Sequence, residues 1–318
     1  MHRGGTSVAT HLIARLGATL PADPRPPASD NPEGSGEPAG LVRLHDQLLF
    51  AADSAWHDSR PLNLDTLSAE ARRAFADQLR DALVTSFGAS PCFVLKDPRL
   101  CRMVPFYRRL LAEMAVQPKV ILALREPAEV AASLEARHQL SADYAGFLWA
   151  RHHLEAERET RDLPRVAVHY DEIMGDWRAP AGRIAELLRA ELAGAALPEA
   201  MPHLQPGLRH HTTRTYGMFG EPLAELLREL HHTLARLDVT PPSVTATTLD
   251  RLSHDLSRAS GMLEDALTVE RCFQRLTTPH EPATAPDPLL ERKQLSAALG
   301  RVHKRRWAEA PGRRGWQR

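Results

Sequence analysis

Three short stretches of the chain combine cations, hydroxyls and glycines at spacings suited to holding anions. The first is His2-Arg3-Gly4-Gly5-Thr6-Ser7. Its glycines permit a tight turn that aims several backbone N–H groups at one point. The helix expected to follow adds the partial positive charge of its N-terminus, and Arg3 adds a full one. Thr6 and Ser7 can cap that helix or donate to phosphate oxygens. The bland alternative is a glycine-rich entry to an ordinary capped helix. A GxxxxGK[ST] loop is absent, so this is not a Walker A motif. The second stretch is Arg125-Glu126-Pro127, with Ser133 eight residues after Arg125. A guanidinium at a strand end, with a hydroxyl two turns along the next helix, suits a dianionic phosphate. Its alternative is a plain strand–helix junction in which Arg125 pairs with Glu126 or Glu129. The third is Lys96-Asp97-Pro98-Arg99. A lysine there can neutralise charge growing on a leaving phosphate or a transferring group; otherwise it is a surface Lys–Asp pair before a turn.

The elements that must carry these residues follow from apolar spacing. Val8, Leu12, Ile13 and Leu16 share one helical face, and the pattern predicts further helices over about 41–50, 68–87, 103–115, 127–137, 142–160 and 181–192. Wholly apolar runs at Cys92–Leu95, Lys119–Leu124 and Arg165–Tyr170 predict buried strands. Strands alternating with helices give an α/β fold, a parallel sheet with helices on both faces. Ligands of such sheets sit at the carboxyl ends of the strands, where the polar clusters stand. Beyond about residue 220, Leu223, Leu226, Leu227, Leu230, Leu234 and Leu237 form one apolar helical face, and Leu249, Leu252, Leu256, Leu263 and Leu267 a second. The expected organisation is an α/β domain over 1–219, an α-helical appendage over 220–277, and a Pro-rich linker with a basic, mobile tail over 278–318.

Composition narrows the classes of function. Lys+Arg 40 balance Asp+Glu 40, so no global field attracts a polyanion and any anion site must be built locally. No nucleic-acid partner is expected. Cys92, Cys101 and Cys272 fit neither a disulfide framework nor a zinc site and point to a reducing compartment. No run of about 18 apolar residues and no signal-peptide h-region stand out, which predicts no membrane span and a cytoplasmic protein. Three pairs of adjacent histidines, His152-His153, His210-His211 and His231-His232, tempt a metal reading. Neighbours on a helix point about 100° apart and do not converge, so no metal is expected.

Taken together, the three stretches resemble the PAPS-dependent sulfotransferases, enzymes using 3′-phosphoadenosine 5′-phosphosulfate. The early R-x-G-T-S loop of that family is matched by Arg3-Gly4-Gly5-Thr6-Ser7, and its R-x-P with a later Ser by Arg125-Glu126-Pro127 and Ser133. Three further segments resemble its bacterial branch: Lys96–Arg99, Asp30-Asn31-Pro32-Glu33-Gly34 followed by Glu37, and Tyr170-Asp171-Glu172-Ile173. The likeness covers about residues 1–215. It implies a P-loop-like sulfotransferase fold and PAPS as co-substrate, bound by Arg3, Gly4, Gly5, Thr6, Ser7, Arg125 and Ser133. Arg209, in Pro206-Gly207-Leu208-Arg209-His210, is implied as a late cofactor contact. Arg3 and Lys96 are the implied catalytic cations and Glu37 the base, with Asp97 its local rival.

Three departures accompany the likeness. Gly5 stands where the family has Ser. Gly36 precedes Glu37 where an aromatic is usual. The loop opens the chain, whereas a central strand is expected before it, and this suggests a native start upstream with Met1 internal. The reaction implied is sulfuryl transfer to an acceptor hydroxyl or amine on a small molecule or carbohydrate. The alternatives are a sulfotransferase-like module that only binds a nucleotide or partner, and a P-loop-like kinase. The missing Walker lysine argues against the kinase.

Overall fold

The computed structural model describes residues 1–27, 34–192, 199, 215–221, 223–238, 242–262, 267–270 and 272–273. Arg209, the Asp30–Glu33 part of the DNPxG segment, the His210-His211 pair and residues 278–318 lie outside them.

The chain is α/β, with most of its described residues in helices. α1 (Thr6–Arg15), α2 (Ala39–Ala51), α3 (Ala69–Phe87) and α4 (Leu100–Glu113) precede β1 (Val120–Leu124). Then come α5 (Pro127–His138), α6 (Ala142–Glu159), β2 (Arg165–His169), α7 (Tyr170–Asp176), α8 (Arg178–Leu187), α9 (Leu223–Leu234) and α10 (Pro242–Met262). Local chemistry sets several boundaries. Ser68 Oγ accepts the Ala71 N–H at the start of α3, and Ser141 Oγ accepts the Tyr144 N–H at the start of α6. Such caps contribute about 1 kcal/mol each. Pro127 opens α5, where its missing N–H costs nothing.

β1 and β2 pair in parallel, with Val120 opposite Arg165 and Leu124 opposite His169. The strand expected at Cys92–Leu95 is not formed. That segment is extended but makes only a parallel bridge at Phe93 with Thr19, in which the Thr19 N–H donates to Cys92 O (2.9 Å) and the Val94 N–H to Thr19 O (3.0 Å). An apolar run supplies burial, but a strand also needs a ladder, and this one has a single partner residue. The other departure is at Tyr170, which begins α7 instead of ending β2.

Alternating strand residues feed two apolar clusters. Ala123, Val166 and Val168 pack with Ala9, Leu12 and Ile13 of α1 and with Ala181 and Ile184 of α8. Leu124 and Ala167 join the larger cluster, which includes Tyr144, Phe147, Leu148 and Trp149 of the buried helix α6. The leucine stripes after residue 220 belong to that same cluster, as Leu223, Leu227 and Leu230 of α9 and Leu249, Leu252 and Leu256 of α10 pack with α6. Among the described residues, no helix is long and apolar enough to cross a membrane, and no group of three or more His, Cys, Asp or Glu could hold a metal ion. His152 and His153 are both buried and turn to different partners, Met1 Sδ and the Trp149 carbonyl.

Candidate active site

The loop before α1 is wound tightly. Arg3 adopts φ 61° and Gly5 φ 80°. For a residue with a Cβ, as at Arg3, this left-handed backbone costs about 1–2 kcal/mol, a strain typical of functional turns. Gly5 is the N-cap of α1 and supplies no side-chain cap. An alternation of this kind with a helix start behind it is a concave set of amides suited to an anion. The glycine at position 5 has a steric reason. A Cβ there would lie 2.7 Å from Tyr170 Cδ2 and 3.2 Å from Tyr170 Cβ. Gly5→Ala is therefore expected to destabilise the fold by about 1–3 kcal/mol, through overpacking and positive φ. A shifted urea midpoint checks this, and an unchanged midpoint would show that Tyr170 gives way freely.

Tyr170 was not among the residues singled out for binding. Its ring lies 4.4 Å from the Arg125 guanidinium carbon, so it forms a floor under both the loop and Arg125. Only its position one residue past a strand hinted at such a role. Arg125 itself is buried, with Nε donating to Glu129 Oε2 (3.0 Å) and Nη1 to Arg3 O (3.4 Å). The pairing with Glu129 weighed in the sequence is thus present, and so is contact with the loop. Ser133, also buried, accepts from Arg3 Nε at 2.8 Å. Arg3 accordingly leans towards Arg125 and Ser133. Burial and the charge of Arg125 both lower the Arg3 pKa.

Lys96 enters from the other side. The Thr19–Phe93 bridge directs its segment to the loop, where Nζ donates to Glu37 Oε1 (2.5 Å) and to Ser7 Oγ (3.3 Å). Burial lowers the Lys96 pKa against the opposing pull of Glu37. Glu37 is delivered by a second loop whose ends are fastened together. The Arg25 N–H donates to Glu37 O (2.8 Å), the Ala39 N–H to Asp23 O (2.8 Å), and the Gly40 N–H to Asp23 Oδ2 (2.9 Å). Gly36, at φ 67°, sits against α1, where a Cβ would meet Thr10 Cγ2 at 2.9 Å. An aromatic in that position would push Glu37 away from Lys96. The outer Glu37 oxygen, Oε2, accepts from Arg25 Nη1 at 3.1 Å.

Asp97 points elsewhere. It is fully buried, bonded to His45 Nδ1 through Oδ2 (2.7 Å) and accepting the Arg99 N–H on Oδ1 (2.8 Å). Arg99 Nη1 also reaches Asp97, and its Nε reaches Asp46. Burial acts against the Asp97 carboxylate, but Arg99 and His45 overcome it and hold its pKa well below the ordinary range. A group so enclosed has no path to an acceptor hydroxyl, and its work is to turn the chain from Lys96 into α4.

The loop 3–7, Lys96, Glu37, Arg125 and Ser133 therefore meet in one place, although more than a hundred residues separate the first from the last. Comparisons with protein-family models, curated proteins and solved structures returned no match.

Proposed function

We propose that this chain is a PAPS-dependent sulfotransferase with a P-loop-like sulfotransferase fold. It moves a sulfuryl group from 3′-phosphoadenosine 5′-phosphosulfate to an acceptor hydroxyl or amine. The observation that carries this reading is the contact of Lys96 with both Ser7 and Glu37, beside a strained amide loop that also touches Arg125. One lysine thus links an anion cradle to a carboxylate, which is the pairing a group transfer between two oxygens needs.

The residues fit the co-substrate. Arg125, Ser133 and Arg3 form a cationic corner for the 3′-phosphate. The amides of Gly4 to Ser7 and the Lys96 ammonium serve the 5′-phosphosulfate. In the reaction, Glu37 takes the acceptor proton as the acceptor oxygen bonds to sulfur. The bond from sulfur to the 5′-phosphate oxygen breaks, and Lys96 balances the charge left on adenosine 3′,5′-bisphosphate. Lys96 must exchange part of its contact with Glu37 for the incoming anion, and the same exchange frees the base. Positioning and electrostatics account for most of such a rate.

Calorimetric titration with adenosine 3′,5′-bisphosphate, with ATP as control, tests the reading. The bisphosphate is expected to bind at least about tenfold more tightly, a difference of roughly 1.4 kcal/mol, and Arg125→Ala should remove that preference. Equal affinity for the two nucleotides in a folded sample would refute it. Bisphosphate binding without any transfer would favour the binding-only module, in which the Lys96–Glu37 contact stays closed.

A further inference from the structure

We propose that the acceptor carries an anionic group of its own, held by Arg25 and Arg137 at the mouth of the site. This rests on the sulfuryl-transfer reading and specifies its second substrate.

The donor molecule accounts for two sets of cations: Arg3 and Arg125 beside Ser133, and Lys96 beside Ser7. Arg25 belongs to neither set. Its guanidinium is about half exposed and holds Glu37 by Oε2, while Lys96 holds the same carboxylate by Oε1. Glu37 therefore stands between an inner cation facing the donor side and an outer one facing solvent. An acceptor hydroxyl that approaches Glu37 brings its neighbouring substituent to Arg25.

Arg137 completes the rim. It is exposed on the last turn of α5, one turn beyond Ser133, whose hydroxyl takes the Arg3 Nε hydrogen bond. Burial and the charges of Arg3 and Arg25 lower its pKa, which places its guanidinium within electrostatic reach of both. The same field is felt next door. After burial, Arg137 and Arg3 are what hold His138 down at about 4. Like charges gathered at one opening repel one another and favour a ligand of opposite sign. The chain as a whole has no net charge, so this concentration is local. A neutral acceptor would leave it unanswered. A hydroxyl compound bearing a carboxylate, phosphate or sulfate would answer it, with bidentate geometry available at each arginine.

The test uses four 4-nitrophenyl glucosides: the neutral parent, its uronic acid, its 6-phosphate and its 6-sulfate. Each is titrated into the full chain, with and without saturating adenosine 3′,5′-bisphosphate. At least one anionic glycoside is expected to bind tenfold or more tightly than the neutral parent, and the preferred one identifies the source of the charge. The double variant Arg25→Gln/Arg137→Gln should lose that preference and keep its affinity for the bisphosphate. Both side chains reach solvent, so circular dichroism should be unchanged. No anionic preference, or a preference that survives in the double variant, would overturn the proposal. Failure of the bisphosphate itself to bind would strike the sulfuryl-transfer reading, and the titrations without it would still report on the arginine rim.

Discussion

Lys96→Ala is expected to lower turnover by about 10²–10³-fold and to leave the affinity for adenosine 3′,5′-bisphosphate within a few-fold. Removing one preorganised donor aimed at developing charge costs about 2.7–4 kcal/mol of transition-state stabilisation. Lys96 is such a donor: it is buried, it lies on Ser7 Oγ, and Glu37 fixes its direction. Bisphosphate binding depends more on the Arg125 and Ser133 corner, which Lys96 does not touch. The variant should fold, because Glu37 retains Arg25 as a partner and is not left as a stranded charge. Single-turnover kinetics with radiolabelled PAPS, alongside a circular dichroism melt, measure both halves of the expectation. Turnover unchanged in a folded Lys96→Ala protein would remove Lys96 from the chemistry and leave the site as a binding module.

The second large effect is on stability. Asp97→Ala is expected to cost about 3–5 kcal/mol of folding free energy, since it strands two buried partners, His45 and Arg99. Arg99 would keep Asp46, whose side chain is about half exposed and compensates less well. His45 would keep only Tyr107, at 2.5 Å from its Nε2. Urea denaturation followed by tryptophan fluorescence reads the loss directly. The same pair of measurements decides the identity of the base. Glu37→Gln should abolish transfer in protein that remains folded, whereas Asp97→Ala should lower the midpoint and leave activity in whatever fraction folds. Loss of all turnover in Asp97→Ala with an unshifted midpoint would reverse the two roles.

Most of the helices were legible from periodicity. The 68–87 segment became α3 with Ser68 as its cap, and 142–160 became α6. Both carry strong local signals, an N-cap hydroxyl before a run of good helix formers, and these act without help from distant residues. Two of the three expected strands formed, at 120–124 and 165–169. The third did not, because a strand exists only through its neighbours. Cys92–Leu95 has the same apolar character as β1, but only Thr19 pairs with it.

The candidate site divides along the same line. The sequence by itself determined which residues can handle anions: the spacing of Arg3 to Ser7, of Arg125 to Ser133, and the Lys-Asp-Pro-Arg turn are local facts of chain chemistry. Only the tertiary structure decided which of them meet. It placed Lys96 between Ser7 and Glu37, turned Asp97 away into a buried pair with His45, and leaned Arg3 towards Ser133. It also supplied residues with no local signature. Tyr170 became the floor beneath Gly5 and Arg125, and Arg25 and Arg137 were drawn to one rim from two separate elements. The physical reason is range. Helix propensity, capping and turn chemistry act over a few residues and can be read along the chain. The direction of a buried carboxylate and the summed field of charges from distant segments exist only once the core has packed.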